Sequence, residues 1–296
     1  MPSTREIRRR IRSVKNIAQI TKAMQMVASS KMRRAQEHVQ NSRPYAEQIR
    51  GLVSRLANAA GEDIGERVKL LHQRPVHRIG FVVISPDRGL CGALPSNINR
   101  KAASAALEQQ NRLAEQGERP GIDYVAVGRK ARDFIIRTQQ HLLAEFTNYG
   151  DKPTLSDATA IAQVAMDAFL NGEVDIVYLV YAKFVNTVTQ QPTAIQLLPV
   201  QPPVEESSER RTIEYIYEPD AASIFEALLP RYVDVQVYQA LLEAVASEYS
   251  AKYVAMKNAT DNALDLIQDL TLTYNKARQA SITTQILEIV AGAGEQ

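Results

Sequence analysis

The sequence predicts a fold of class α/β plus α, with a long antiparallel two-helix coiled coil from the N- and C-terminal segments and a central α/β domain. Apolar residues recur every seven positions in both terminal segments, whereas short apolar runs alternate with helical periods between them. Gly and Pro are scarce in the terminal segments and concentrate between them. We therefore expect an N-terminal coiled-coil helix over 1–58, a central domain over 75–218 and a C-terminal coiled-coil helix over 220–296.

The N-terminal helix is predicted from one apolar row with a period of seven: Ile7, Val14, Thr21, Ala28, Ala35, Ser42, Ile49 and Leu56. A second row lies three positions further on, at Ile17, Met24, Tyr45 and Leu52, and other members flank the same face: Ile11, Ala18, Met32, Val39, Ala46 and Val53. Such a stripe, sustained over several heptads, is typical of a coiled coil. Pro44 is expected to bend or locally break this helix.

The C-terminal helix is predicted from about Arg231 to Ala291, with one heptad row at Leu242, Tyr249, Met256, Ala263, Leu270 and Ala277. About 60 helical residues span about 90 Å, whereas a compact globule of this chain length is only about 50 Å across. We expect the helix to project and to pair with the N-terminal helix. The seven-residue period predicts a left-handed supercoil.

The central segment alternates between strands and helices. Strands are predicted at 78–85, 122–128, 174–185 and 193–200, with one more possible at 212–217, and helices at 96–116, 129–138 and 156–170. This alternation favours a layered, Rossmann-like domain with a mostly parallel sheet. The polar stretch 201–211 is expected to be a loop.

Charge is balanced overall, at a formal net +2, but it is uneven along the chain. The first segment is strongly basic, and a basic stripe follows one face of it at Arg8, Arg12, Lys15 and Lys22. A DNA- or RNA-binding helix has such a stripe. The C-terminal segment carries a matching acidic stripe at Asp261, Asp265 and Asp269. We favour pairing of the basic groups with these acids, or with acids on a partner.

Catalytic and metal-binding patterns are absent from the sequence. Cys91 is the only cysteine, and no histidine forms a local catalytic signature with it. The chain has no Cys-x-x-Cys or His-Glu-x-x-His spacing, and no run of about 18 apolar residues that would span a membrane. The turn at 85–94, after the first strand, lacks the glycines of a phosphate loop. We interpret it as a tight structural turn or a partner-facing loop.

The last segment, SITTQILEIVAGAGEQ, is unusually apolar for the end of a helix. Two interpretations fit it. The segment packs against the N-terminal helix, or it inserts into an apolar socket on other subunits. The second is favoured, since a solvated helix end is rarely so apolar.

Four stretches together carry a family resemblance: EIRRRIRSVKNIAQITKAMQMVASSKMRRAQ (6–36), SRPYAE (42–47), DRGLCGAL (87–94) and YNKARQASITTQILEIVAGA (274–293). The chain resembles the gamma subunit of F-type ATP synthases over its whole length. The resemblance implies a central-stalk rotor that couples proton flow through the c ring to conformational change and ATP synthesis at the beta subunits. It also implies a non-catalytic subunit with no cofactor and no metal.

The partners implied by the resemblance are the alpha and beta subunits of the catalytic hexamer, the epsilon subunit and the c ring, with one copy of the chain in each complex. The expected location is peripheral, on the cytoplasmic face of a bacterial plasma membrane. The main rival is an unrelated coiled-coil scaffold or nucleic-acid adaptor with an α/β head. An α/β enzyme is the third possibility.

Site residues follow from the same resemblance, motif by motif. Met24 matches a position near an acidic loop of beta, where Lys22 adds charge attraction, and Arg278 and Gln279 match the catch with a beta loop. The tip residues Ile282, Ile286 and Ile289 match positions held in an apolar bearing. A signature loop of unknown role comprises Asp87, Arg88, Gly89, Cys91 and Gly92.

Overall fold

A computed structural model of the chain describes residues 3–60, 67–114, 120–202 and 220–293. The helices are α1 (Thr4–Ala60), α2 (Leu94–Ala114), α3 (Arg129–Arg137), α4 (Leu155–Leu170) and α5 (Ala221–Ala293). The strands are β1 (Arg78–Ile84), β2 (Gly121–Val127), β3 (His141–Phe146), β4 (Ile176–Phe184) and β5 (Gln190–Leu198), and a short 3-10 helix spans Lys69–Leu71. The fold class is therefore confirmed.

The chain divides into two compact units. The first contains the described residues up to Ser29 and from Lys252 onward, which are segments of α1 and α5. The second, Ser30–Ala251, contains the rest of both helices and the whole sheet. These units cut across both long helices, whereas the expected division into 1–58, 75–218 and 220–296 keeps each helix whole. The expected division stays a prediction.

The two long helices run antiparallel in the first unit. Thr21 of α1 hydrogen-bonds Thr260 of α5, and Arg8, nearer the start of α1, hydrogen-bonds Tyr274, nearer the end of α5. The first heptad row of each helix lies in the seam as predicted, with Ile7, Thr21, Ala28, Met256 and Ala263 all buried. The small seam residues leave room for close approach of the helices.

The second row of the α1 seam differs from the prediction. Ile17, Tyr45 and Leu52, three residues after the first row, are exposed, whereas residues four after it are buried at Ala18, Val39 and Val53. The periodicity of α1 allows either row to complete the stripe, because both flank the first row on a helix surface. The choice depends on where the partner helix lies, which α1 alone does not specify.

Both internal prolines are tolerated. Helix α1 continues through Pro44, so the local break does not occur, and α5 begins at Ala221 rather than near Arg231 because it continues through Pro230. A proline inside a helix costs about 3 kcal/mol. Around Pro230, Phe225 and Leu229 are fully buried. Each contributes roughly 2 kcal/mol of burial, which offsets that cost.

The sheet has the order β3-β2-β1-β4-β5. Strands β1 to β4 pair in parallel, and β5 pairs antiparallel with β4, so the mostly parallel, Rossmann-like sheet is confirmed. Strand β3 was not predicted because its sequence, HLLAEF, is only partly buried at an edge and carries two titratable residues. The possible strand at 212–217 lies outside the described residues, as does most of the loop at 201–211.

Helices cover both faces of the sheet. One face packs against α4 and against the sheet-proximal parts of α1 and α5, including Val53 and Phe225. The other face packs against α2 and α3. Strand β1 alternates between the two cores, with Val82 and Ile84 on one side and Phe81 and Val83 on the other. An almost continuous apolar run is the sequence required by a strand buried on both faces.

A buried carboxylate joins three strands at the amino edge of the sheet. Asp123 of β2 accepts hydrogen bonds from Arg78 Nε and Nη2 of β1, at 2.8 and 2.6 Å. His141 Nδ1 of β3 lies 2.6 Å from Asp123 Oδ1. Burial alone raises the pKa of Asp123, but the hydrogen bonds from Arg78 and His141 outweigh it and hold the pKa below its ordinary value.

Candidate partner-contact surface

The end of α5 presents an uncovered apolar surface. Helix α1 begins at Thr4, and the contact between Arg8 and Tyr274 lies close to that end of the antiparallel pair. Beyond this contact, α5 continues to Ala293, and its large apolar side chains are exposed at Ile282, Ile286, Leu287, Ile289 and Val290. The interpretation in which this segment packs against the N-terminal helix is therefore wrong. An apolar surface of this kind is typical of a protein-binding site.

Arg278 and Gln279 lie at the base of this surface. Both side chains are exposed, one and two positions after the half-buried Ala277. They lie between the contact of Arg8 with Tyr274 and the apolar tip, so a partner that binds the tip also meets a guanidinium and an amide. Their contact with a beta loop stays a prediction, as does a bearing around Ile282, Ile286 and Ile289.

A second exposed apolar surface lies on α1. Lys22 is exposed and Met24 is half-buried, but four apolar neighbours are more exposed than Met24: Ile17, Ile20, Met26 and Val27. Sequence reasoning missed Ile20, Met26 and Val27, because it followed only the heptad rows. Their apolar character on the face away from the seam was the available signal. Contact of Lys22 and Met24 with an acidic beta loop stays a prediction.

The basic and acidic stripes do not pair within the chain. In the described parts of α1 and α5, no ion pair joins Arg8, Arg12, Lys15 or Lys22 to Asp261, Asp265 or Asp269. Arg8 instead donates to the Tyr274 hydroxyl, and its guanidinium lies 5.4 Å from the centre of that ring. Arg12, Lys15 and Lys22 are exposed and are thus available to acids on a partner.

A polar bridge inside the seam was also missed. Thr260 Oγ1 lies 2.8 Å from Thr21 Oγ1, and both hydroxyls are buried. Each also contacts a carbonyl of its own helix, that of Met256 for Thr260 and that of Ala18 for Thr21. Each hydroxyl has one proton, so one donates along its helix and the other donates across the seam. A directional bond in an apolar seam fixes the register of the two helices.

The signature loop closes the carboxyl edge of the sheet. The Asp87 carboxylate accepts the backbone N–H of Arg129 at 3.0 Å and that of Asn148 at 2.9 Å. Arg129 begins α3, and the residue before it, Gly128, has no side chain that could cap the helix. Asp87 therefore acts as the cap from another loop. An anionic ligand at this helix end would meet the carboxylate, so the geometry opposes phosphate binding.

The other residues of the signature loop differ in exposure: Cys91 is buried, and the remaining three are exposed to solvent. Cys91 is buried in the core with Val83 and Ile98, where it packs as a small apolar side chain. Arg88, Gly89 and Gly92 are exposed. This arrangement fits a structural turn with a solvent-facing tip.

The described residues contain no group of three or more His, Cys, Asp or Glu side chains that could hold a metal ion. Among the same residues, no helix has both the length and the apolar character needed to cross a membrane.

Comparison with known proteins gives consistent matches. The sequence matches the protein family described as ATP synthase over residues 3–294. It is 50% identical over 295 residues to the ATP synthase gamma chain of Roseiflexus castenholzii, which covers 99% of this chain and 98% of that protein. The ATP synthase gamma chain of Dehalococcoides mccartyi is 50% identical over 294 residues, which covers 99% of both.

Solved structures agree with these sequence matches. A chain of the central stalk and c-ring structure of Tetrahymena thermophila mitochondrial ATP synthase is similar with a TM-score of 0.58 and 26% identity, covering 81% of this chain and 99% of that chain. A chain from the OSCP, F1 and c-ring structure of Euglena gracilis mitochondrial ATP synthase has a TM-score of 0.65 and 21% identity. The match covers 98% of this chain and 93% of that chain. The second likeness shows the shared fold.

Proposed function

Given that this chain belongs to the ATP synthase gamma-chain family, we propose that its paired helices carry rotation from the c ring to the catalytic beta subunits. The chain is a gamma subunit, the non-catalytic rotor of the central stalk. This membership replaces the alternatives of an unrelated scaffold, a nucleic-acid adaptor or an α/β enzyme. What remains to be proposed is which surfaces meet which partners.

The exposed tip of α5 carries this proposal. Its apolar side chains remain 45–71% exposed, although burying the exposed area is favourable by roughly 25 cal/mol for each Å². The tip is therefore suited to a surrounding apolar socket made by alpha and beta subunits. A socket without directional hydrogen bonds holds the tip in place and still lets it turn.

The coupling mechanism follows from differential contact. One side of α1 is basic and apolar, with Lys22 and Met24 flanked by exposed apolar residues, whereas the acidic stripe lies on α5. An asymmetric shaft contacts different beta subunits with different faces. A face that binds one beta conformation more tightly shifts that site toward it by the difference in contact free energy. Nucleotide affinity at beta changes accordingly, and catalysis stays on beta.

The proposed partners are alpha and beta around the shaft, with epsilon and the c ring at the α/β domain. One similar structure, 26% identical, is described as the central stalk and c-ring of an ATP synthase, which supports assembly with the c ring. One copy of the chain is expected in each complex. The proposed location is peripheral, at the cytoplasmic face of a bacterial plasma membrane, with attachment through the complex.

Reconstitution tests the proposal. The chain is mixed with alpha and beta subunits, and the composition and the ATPase activity of the purified complex are measured. We expect one copy of the chain for three alpha and three beta subunits, and sustained ATPase activity that depends on the chain. Equal activity without the chain, or a complex with several copies of it, would contradict the proposal.

A further inference from the structure

The turn after β3 lies between the sheet and both long helices. We call Asn148–Asp151 the strap. At its first end, the backbone N–H of Asn148 donates to Asp87 Oδ2 at 2.9 Å. The next residue, Tyr149, donates its hydroxyl to the carbonyl of Ser85 at 3.2 Å. Asp87 and Ser85 directly follow β1, the central strand, so this end of the strap is fastened to the middle of the sheet.

The other end of the strap is fastened to both long helices. The Asp151 carboxylate forms an ion pair with Lys31 of α1 through Oδ2. Its other oxygen accepts the hydroxyl of Tyr249 of α5. The Lys31 ammonium also lies 5.3 Å from the centre of the Tyr249 ring. A single carboxylate thus joins α1, α5 and the sheet; solvent screens its ion pair with the partly exposed Lys31, so the bonds contribute defined geometry more than stability.

The strap is short and conformationally defined. Asn148 has φ 64° and Gly150 has φ 71°, which fold it into a compact turn that few sequences adopt. The Tyr149 ring packs against the sheet core and also against the cluster of α1 and α5 that contains Val39 and Val245. Burial raises the pKa of the Tyr149 hydroxyl, so this hydroxyl stays protonated and remains a donor.

Apolar packing and directional bonds resist different motions. The seam and core contacts of α1 and α5 are largely apolar, and the hydrophobic effect that drives them has no direction, so they resist sliding only through the interlocking of their side chains. Torque applied to the helices about their axis tends to slide them against the sheet. Hydrogen bonds and ion pairs depend on angle as well as distance, so they oppose that sliding.

We infer that the strap is a torque-transmitting element, in which Asp151 acts as a positioning residue that couples rotation of the α/β sheet to both helices of the shaft. The inference rests on the proposed rotor function and extends it to a named mechanical connection. Helix α5 has a second polar attachment to the sheet, from Ser247 Oγ to the carbonyl of Ala182 at 2.9 Å. The strap acts in parallel with this bond, and it also holds α1.

The experiment uses single assembled complexes with the alpha and beta subunits immobilised. A bead is attached to the α/β domain through Val188→Cys, at a position that is 77% exposed, while the native Cys91 is buried and therefore protected from labelling. The angular fluctuation of the bead is recorded while the enzyme pauses between steps. The variants are Asp151→Ala, which removes both bonds, and Tyr249→Phe, which removes only the hydroxyl.

Asp151→Ala raises the mean-square angular fluctuation of the bead, and the rise stays below about twofold because the close-packed core and the bond from Ser247 remain. The effect of Tyr249→Phe is smaller. Asp133→Asn is the matched control, because Asp133 is an exposed carboxylate whose ion pair, with Arg132, stays within α3. Its fluctuation matches that of the parent complex.

Unchanged fluctuation in Asp151→Ala would overturn the strap inference, and so would an equal increase in Asp133→Asn. Asp151 is half exposed, so its loss leaves the core intact, and a thermal melting curve of each complex checks this. If the parent complex itself does not rotate, the proposed rotor function fails instead. The two failures are therefore distinguishable.

Discussion

The exposed tip of α5 allows a quantitative prediction of assembly strength. Ile286, Leu287 and Ile289 are 55%, 63% and 71% exposed in the chain. Complete burial of such a side chain contributes about 2 kcal/mol. A socket that covers the remaining exposed surface of all three therefore contributes about 4 kcal/mol at most, or roughly a thousandfold in affinity. We expect replacement of the three by glutamine to lose most of this.

Glutamine suits the test because its helix propensity is close to that of leucine, so the helix itself persists. The dissociation constant of the chain for the alpha–beta hexamer is measured by titration with a fluorescently labelled chain. The control is Leu107→Gln, an exposed leucine of α2 in the α/β domain. An unchanged dissociation constant for the triple variant, or an equal loss for the control, would refute the assignment of the tip to a socket.

Three other predictions follow from single residues. Met24→Lys places a charge among the apolar neighbours on α1, and we expect fewer protons to be pumped for each ATP hydrolysed. Normal pumping would argue against contact of Met24 with beta. Gly128→Ala puts a Cβ 1.8 Å from the Ser85 carbonyl oxygen at a φ of +95°, so we expect a loss of more than about 2 kcal/mol in urea unfolding, and a wild-type midpoint would contradict this. The pKa of the Asp123 carboxyl is lower in the folded protein than in the unfolded chain. Its contribution to the free energy of unfolding is therefore complete above its pKa in the unfolded chain, and it is lost as pH falls through its lower pKa in the folded protein. Urea midpoints from about pH 6 to about pH 2 should therefore fall less steeply for Asp123→Asn than for the parent chain, and parallel curves would contradict the assignment.

Periodicity predicted most of the fold. The first heptad row of α1 forms the seam, and the strands near 78–85, 122–128, 174–185 and 193–200 all exist. Burial has a simple sequence signature in these elements, because an apolar row or run is stable only where it is buried away from water. Strand β3 lacks that signature, since an edge strand is stabilised by pairing with β2 more than by its own apolar content.

Other features depend on distant parts of the chain. The heptad pattern predicts helix only from about Arg231, whereas burial of Phe225 and Leu229 extends α5 through Pro230 to Ala221. The second seam row of α1 depends on the position of α5. Both the start of α5 and the second seam row of α1 depend on contacts with distant residues, so neither can be predicted from the neighbouring sequence alone.

The candidate site divides in the same way. The apolar tip was predictable, because an apolar segment at a helix end is unusual whatever surrounds it. The role of Asp87 was not, because its two partners, Arg129 and Asn148, lie 42 and 61 residues away. The strap has no sequence signature either, since Lys31, Asp151 and Tyr249 come from three separate elements.

Rotation of this chain inside the catalytic hexamer is the central claim, and a bead on the α/β domain tests it most directly. The bead is attached at Val188→Cys, ATP is supplied, and the angle is followed over time in single complexes. We predict unidirectional rotation in three equal steps per turn, with a stepping rate that matches the ATPase rate. Full ATPase activity with a stationary or randomly diffusing bead would contradict the account.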